Sequence, residues 1–582
     1  MEEELRPCKR FSSLLLAEQT MQRLLADGAA FSTPVSRRSA NYQPSLWDDN
    51  YIQSLPDGSL DATQVNLWEK LKEEVRHLID QNKQNDTIEL LEYVNTLCQL
   101  GISYHFESEI KNVLTFIASS MESLSNILKN SLHGSALLFR LLREYGIKAL
   151  NTREDFLVRS FKNENGSFKV HIVNDVKGML SLYEASYLSV EGEDDLDEAM
   201  EFTTKHLSNY LKEPSLIHPS LVEQISHALH LPLHWRMPTL HTMWFIDTYE
   251  KQENTNYSLF EFAKLDFNMV QSIYKKEVKE MSSWWRSIGL AGDEFSFARD
   301  RLMENYFWAM GCALEPHFWR CRKEITKLVS IITTIDDIYD TYGSIEELVL
   351  FTNAVDEWKI IEIQSLPNCM RKALLTLINT MNEIAFAFSK EKGLDILPQL
   401  KRPWGYQCKA YLVEAIWYNT RYIPTLNEYM ENAWLSIGTA LVLTVAYLLS
   451  EDLTKEALNS LELYFDVTRY SCMITRLYDD LGTSKDELQR GDVPKSIQCY
   501  MNETNVLEFV ARDHIRQLIK KYWKLLNGEY FSNFNLEESF KRYALNLPRM
   551  TQCIYEYGDG YGKPDHETWD RILSSLIKPI PL

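Results

Sequence analysis

The sequence predicts an all-α protein of two domains, and three observations carry that prediction. Apolar residues recur at three- and four-residue steps, as in Leu67, Leu71, Val75 and Leu78 and again in Leu90, Leu91, Val94 and Leu97. Period-two alternation flanked by turn signals is scarce, which argues against extensive sheet. The 582 residues include only 21 Gly and 18 Pro, which suits long uninterrupted helices. At roughly 150 residues per domain the length calls for more than one folding unit. No internal repeat of fixed period is present. The polar stretch Lys251 to Ser258 reads as the connection, so the expected domains are 37–255 and 256–582.

Composition narrows the function. Hydrophobic residues make up 45% and charged residues 25%, the balance of a folded globular chain. The 61 Lys and Arg stand against 82 Asp and Glu, for a net charge of -21. Phosphate backbones need a basic face, so nucleic acid is excluded as a partner, and an anionic membrane surface is disfavoured in the same way. The longest apolar run, Ala440 to Leu449, falls well short of the ~20 residues that cross a bilayer. Nine scattered cysteines with no CxxC pair fit neither a disulfide framework nor a thiolate zinc site, and indicate a reducing compartment.

Residues 1–36 show no sustained period and carry Arg6, Arg10 and Arg23 among small and polar residues. They read as a plastid transit peptide or a flexible arm, with Glu2, Glu3, Glu4, Glu18 and Asp27 counting against the transit peptide.

The chemistry concentrates in two acidic motifs. The first, Asp336-Asp337-Ile-Tyr-Asp340, directly follows the apolar run Leu328 to Ile335. On a helix Asp336 and Asp340 share a face, with Asp337 rotated by about 100°. No Lys or Arg stands between Lys327 and Lys359, so these carboxylates need a distant cation, a metal or a proton. Oxygen-only ligands suit Mg²⁺ or Mn²⁺, whose shells are completed by water and substrate phosphates. The alternative is a solvated acidic helix end, which the apolar run disfavours. In the second motif, Asp479, Thr483 and Glu487 fall at i, i+4 and i+8, one stripe about 12 Å long. Arg299 and Arg301 lie upstream of the first motif, Arg476 one turn before the second, and Lys495 after the turn Gly491 to Pro494. Guanidinium forks and an ammonium are the groups that grip a diphosphate.

With DDIYD at 336–340, DDLGTSKDE at 479–487, Arg299-Asp-Arg301 and the RRx8W motif Arg37-Arg38 to Trp47, the sequence resembles plant class I terpene synthases of the angiosperm monoterpene synthase group. The tail Tyr555 to Tyr561 matches as well, and the resemblance covers nearly the whole chain after residue 36. It implies an inactive N-terminal α-barrel-like domain and a catalytic C-terminal class I α-bundle. It further implies Mg²⁺, with Mn²⁺ possible, held by the two motifs: Asp336 and Asp340 on two ions with Asp337 in support, and Asp479, Thr483 and Glu487 on a third. The substrate would be a prenyl diphosphate, geranyl diphosphate above all, bound by Arg299, Arg301, Arg476 and Lys495 together with Asp336, Asp340 and Asp479. By the same resemblance Trp308 lines the pocket floor, and Ser436 to Gly438 break a helix to aim carbonyls at a carbocation. Arg37 and Arg38 are associated with isomerisation to linalyl diphosphate, and Asp559 and Tyr561 with the lid. A monomer in the plastid is the family expectation, with the cytosol as the alternative.

Competing readings come from other features. Asp194-Asp195-Leu-Asp197-Glu198 mimics a metal motif but reads as an acidic helix start, and His227, His230 and His234 are separated by Pro232 and read as packing. An acyclic-product or farnesyl diphosphate-using synthase carries the same motifs. A catalytically silent helical scaffold should have lost a metal ligand, and none is missing.

Overall fold

The computed structural model describes residues 14–26, 37–82, 86–120, 124, 128, 130–147, 158–252, 255–360, 363–450, 453–459, 466–532, 536–563 and 565–582. Among the described residues there is no strand; an isolated bridge between Lys162 and Phe168 is the sole β feature. Among the described residues no single helix is long and apolar enough to cross a membrane. The chain forms two compact units. One lies within Met1–Pro56, Tyr274–Leu526 and Asn535–Leu573, the other within Asp57–Ile273, Asn527–Phe534 and Ser574–Leu582.

This division departs from the linear split expected at residue 255. It falls inside one helix, and residues 37–56 belong with the acidic motifs rather than with the N-terminal domain. Of the polar stretch 251–258, Lys251 and Gln252 leave the helix Pro238–Glu250 in a turn and Tyr257 and Ser258 already belong to the helix Tyr257–Ile288, a composition that a linker shares. Residues 14–26, which carry no sustained period in the sequence, are helical. They form helix α1 (Leu14–Ala26), with Leu14, Ala17 and Met21 buried at i, i+3 and i+7. A stripe built partly on alanine is faint in sequence. The remaining positions of the expected transit peptide, 1–13 and 27–36, lie outside the described residues.

The unit centred on residues 57–273 is built from α2 (Ala62–Asn82), α3 (Thr87–Gln99), α4 (Leu132–Glu144), α5 (Val176–Ser186), α6 (Asp194–Lys212), α7 (Pro219–His230), α8 (Pro238–Glu250) and the first half of α9 (Tyr257–Ile288). On α2 the buried stripe is Trp68, Leu71, Val75 and Ile79, one step round from the expected Leu67 and Leu78, which are only partly buried. On α3 the expected Leu90, Leu91, Val94 and Leu97 are all buried. Within this core Asp266 accepts from Trp68 Nε1 at 3.0 Å and Tyr104 Oη at 2.8 Å, which satisfies a carboxylate that burial would otherwise penalise. The acidic run at 194–198 opens α6, and Lys162 pairs with Asp195 and, at 2.7 Å, with Glu198. His227 stacks on Trp244 at 3.5 Å between centroids, whereas His234 meets Asn527 at 2.8 Å. The three histidines do not converge.

In the other unit, α10 (Leu302–Cys312), α11 (Trp319–Asp337), α12 (Ile345–Glu357), α13 (Leu397–Thr420), α14 (Leu426–Ser436), α15 (Thr439–Leu448), α16 (Asp466–Arg490), α17 (Ser496–Thr504) and α18 (Glu538–Tyr555) pack as a bundle. α10 pairs with α11, α12 with α13, and α16 with α18. Gly482 permits the α16–α18 approach: a Cβ there would stand 2.8 Å from Tyr555 Cβ.

Candidate active site

The bundle encloses an open cleft of about 1090 Å³, mouth included, polar at one end and apolar along its walls. α11 supplies one wall. Its inner face buries Leu328, Ile331 and Ile335 while Val329, Ile332 and Thr333 face the cleft. At the first acidic motif the helix changes register. Ile338–Tyr342 is a π turn closed by Gly343 N–H donating to Ile338 O at 2.8 Å, where a regular helix was expected. Asp336 and Asp340 line the cleft. Asp337 does not. It is fully buried and accepts from the Arg299 backbone N–H at 2.7 Å, with the Arg299 terminal nitrogen 2.8 Å from its other oxygen. Burial pushes the Asp337 carboxyl up and the guanidinium beside it pulls back. Asp337 therefore holds Arg299, and the same guanidinium reaches Asp336 at 2.6 Å.

α16 supplies the opposite wall. Asp479, Thr483 and Glu487 all line the cleft, as the i, i+4, i+8 spacing requires. Arg476 pairs with Asp479, and Lys495 Nζ stands 3.8 Å from Glu487 Oε1. Asp480, beside the ligand stripe, is fully buried and accepts from Tyr429 Oη at 3.0 Å and Ser496 N–H at 3.1 Å. It thereby anchors the start of α17, immediately after Lys495. Desolvation, then the neighbouring Asp336, push the Asp340 carboxyl well above the usual carboxylate range, with Lys495 opposing. Trp308 from α10 lines the apolar part with Ile325, Val442 and Leu547, joined by Tyr411 and Tyr555. Between α14 and α15 the helix axis bends by 41°, and Ser436, Ile437 and Gly438 all face the cleft. Gly438 has φ +82°, and a Cβ there would stand 3.0 Å from Ile332 Cγ2, so glycine is required twice over.

Besides Asp337, three further expected site residues lie outside the cleft lining. Arg301 is fully buried outside the cleft lining. Its guanidinium donates to the carbonyls of Gln43 at 2.8 Å, Tyr561 at 2.9 Å, Asp300 at 2.9 Å and Gly562 at 3.0 Å. With these donors on backbone carbonyls, it ties residues near Gln43 to the 561–562 segment. Arg37 binds Glu347, and Arg38 stacks on Tyr418 at 3.9 Å while donating to the Asp340 carbonyl, bordering a small side pocket with Asp340, Glu414 and Lys495. Neither lines the main cleft. Charge and motif position are visible in sequence, whereas the direction of a long side chain is decided by the carbonyls and carboxylates the fold brings to it. Tyr561 and Asp559 do line the cleft; Tyr561 Oη donates to Asn305 at 2.6 Å, and Asp559 accepts from Gly562 N–H at 2.6 Å.

Sequence reasoning missed Tyr42, Tyr411 and Glu414, all cleft-lining. Tyr42 and Tyr561 flank the Arg299 guanidinium at 5.0 and 5.5 Å from their ring centroids. A signal existed for Glu414, the lone acid in the apolar run Tyr411 to Trp417.

A helical bundle with two oxygen-ligand stripes facing each other above an apolar pocket defines a class of metal-assisted diphosphate chemistry, and comparison with known proteins agrees. Residues 288–525 match the terpene synthase family metal binding domain, and residues 46–229 the terpene synthase N-terminal domain. A chloroplastic myrcene synthase of Quercus ilex is 46% identical over 563 residues, 97% of this chain and 93% of its own. A limonene synthase crystallised with 2-fluorolinalyl diphosphate superposes with TM-score 0.89 at 37% identity, covering 94% of this chain and all of that one. Isoprene synthase from Populus x canescens, in complex with three Mg²⁺ ions and dimethylallyl-S-thiolodiphosphate, superposes with TM-score 0.83 at 39% identity over 92% of this chain and 99% of its own. The chain belongs to the terpene synthase family and carries its metal-binding domain.

Proposed function

We propose that the protein is a Mg²⁺-dependent monoterpene synthase of the plastid that ionises geranyl diphosphate and releases diphosphate and a C10 olefin or alcohol. One observation carries this reading: Asp336 and Asp340 on one wall, and Asp479, Thr483 and Glu487 on the other, share a cleft with Arg299, Arg476 and Lys495 above an aromatic pocket. The donor set is all oxygen, as a hard divalent ion requires. Among the described residues no three His, Cys, Asp or Glu side chains stand close enough to hold an ion by themselves. That fits an ion whose shell is completed by substrate diphosphate oxygens. Held by Asp336, Asp340, Asp479, Thr483 and Glu487, Mg²⁺, or Mn²⁺ in its place, would supply positive charge to the leaving diphosphate.

The protein's own groups supply the rest. Arg299, Arg476 and Lys495 carry fixed positive charge toward the departing diphosphate; burial alone would discharge them, and the acidic groups around them, Asp337 at Arg299, Tyr429 and Asp480 at Arg476 and Glu487 at Lys495, outweigh it. Trp308, Tyr411 and Tyr555 offer aromatic faces to the carbocation, whose charge they stabilise without quenching it. Ile325, Val329, Ile332, Val442 and Leu547 exclude water along the walls. Arg301 draws Tyr561 and Gly562 toward Gln43 at the cleft's edge. The plastid assignment rests on the chloroplastic myrcene synthase.

The test is gas chromatography–mass spectrometry of volatiles formed by purified protein with Mg²⁺ from geranyl and farnesyl diphosphate at equal concentration. C10 products are expected to dominate. Dominant C15 products would replace the substrate assignment, and no volatiles from either would return the protein to the silent-scaffold reading.

A further inference from the structure

The cleft holds one carboxylate that the motifs leave without a role, Glu414 on α13. It is buried on a helix whose adjoining residues Leu412, Val413, Ala415 and Ile416 are buried as well, and a buried carboxylate is costly unless it is bonded. Its Oε1 accepts from Ser436 Oγ and, at 3.3 Å, from Asn432 Nδ2. Both donors sit on the last turn of α14, beside the break at Ile437 and Gly438. Two neighbouring bonds run between the same helices: Gln407 Nε2 donates to Ser436 O at 2.9 Å, and Asn432 Nδ2 to Ala410 O at 3.0 Å.

We propose that Glu414 is a positioning residue that clamps the helix break from the facing helix, and so determines which products the carbocation forms. The inference rests on the monoterpene synthase reading and goes beyond it. A break at a glycine is held by its surroundings, because the ladder that would stiffen it is interrupted. Here the surroundings are side chains of α13, and Glu414 supplies the charge-assisted bond among them. The residues it holds, Ser436 to Gly438, place backbone polar groups on the wall of an otherwise apolar pocket. Glu414 also borders a small side pocket with Asp340, Asp492 and Lys495, so the clamp reaches the diphosphate end as well. Its charge acts on both Lys495 and Asp340. One side chain therefore spans the diphosphate-binding end and the wall that faces the cation.

Competing fates of a carbocation are separated by small energy differences, so releasing the break should redistribute products by about three- to ten-fold. Wild type, E414A, E414Q, S436A and the E414A/S436A double variant are compared for total diphosphate release, thermal midpoint and the ratio of individual products. E414A and S436A are expected to shift product ratios in the same direction, about three-fold or more, and the double variant no further than E414A. E414Q, whose amide oxygen still accepts from Ser436 and Asn432, is expected to stay within about two-fold of wild type. A wild-type product ratio in E414A overturns the inference even if its yield and thermal midpoint fall together, because that is the signature of a structural role alone. E414Q matching a strongly altered E414A, with S436A unchanged, overturns it as well, since charge rather than the clamp would be responsible. Should E414A fail to fold, S436A and E414Q decide by the same criteria. Wild-type protein releasing no diphosphate from any prenyl diphosphate would sink the underlying reading instead.

Discussion

Arg37 and Glu347 stand 310 residues apart in the chain and form a bidentate pair, with N–O distances of 2.5 and 2.7 Å. Glu347 is also the capping-box residue of α12, accepting from the Ser344 N–H at 2.9 Å. The pair thus fastens the segment before Trp47 to the helix that follows the first acidic motif. R37A leaves Glu347 without its cation, and should cost about 2 kcal/mol of stability. Because Arg37 does not line the cleft, R37A should lower turnover of geranyl and linalyl diphosphate equally. Kinetics on both substrates check this; a loss confined to geranyl diphosphate would restore the isomerisation role.

Arg299 and Arg301 occupy one motif and face different ways. R299A should raise the inhibition constant of inorganic diphosphate by at least about ten-fold, since a charge-assisted contact is lost. R301A should change it by less than about three-fold while raising the share of water-captured alcohols, because Gln43, Tyr561 and Gly562 lose their common donor. Equal effects of the two variants on diphosphate inhibition would place Arg301 on the substrate.

Asp336 and Asp479 face one cleft from opposite walls. D336A and D479A should each reduce turnover by about 10³-fold or more while the thermal midpoint without metal stays near wild type. The gain in midpoint that Mg²⁺ and inorganic diphosphate together confer on wild type should vanish in both. Wild-type-like turnover in either variant would remove it from the site.

Glu304 is buried in the first turn of α10, and its Oε2 has no hydrogen-bond partner. Desolvation pushes its carboxyl up to about 7, with Arg301 opposing. The folded state therefore binds more protons than the unfolded state between about pH 4.5 and 7, and stability falls as pH rises through that window. E304Q removes the ionisation. Its unfolding free energy should gain on wild type from pH 4.5 to 7, by an amount on the order of 3 kcal/mol, and run parallel above. Parallel curves across the whole range would contradict the shift.

The helical class and the cleft-lining stripes Asp336/Asp340 and Asp479/Thr483/Glu487 were legible in the sequence because they follow from local periodicity. Spacing along one helix determines which side chains share a face, whatever that helix later packs against. Contacts between distant residues carry no such local signature. Only the tertiary structure sent Arg301 to the carbonyls of Gln43, Tyr561 and Gly562, sent Arg37 to Glu347, and set Arg299 against the Asp337 carboxylate that helical spacing had already rotated off the shared face. Only it brought Glu414 against Ser436 across two helices and put residues 37–56 in the same unit as the metal motifs. A charged side chain is drawn to whichever buried partner compensates its lost hydration, and that partner is chosen by packing rather than by sequence distance.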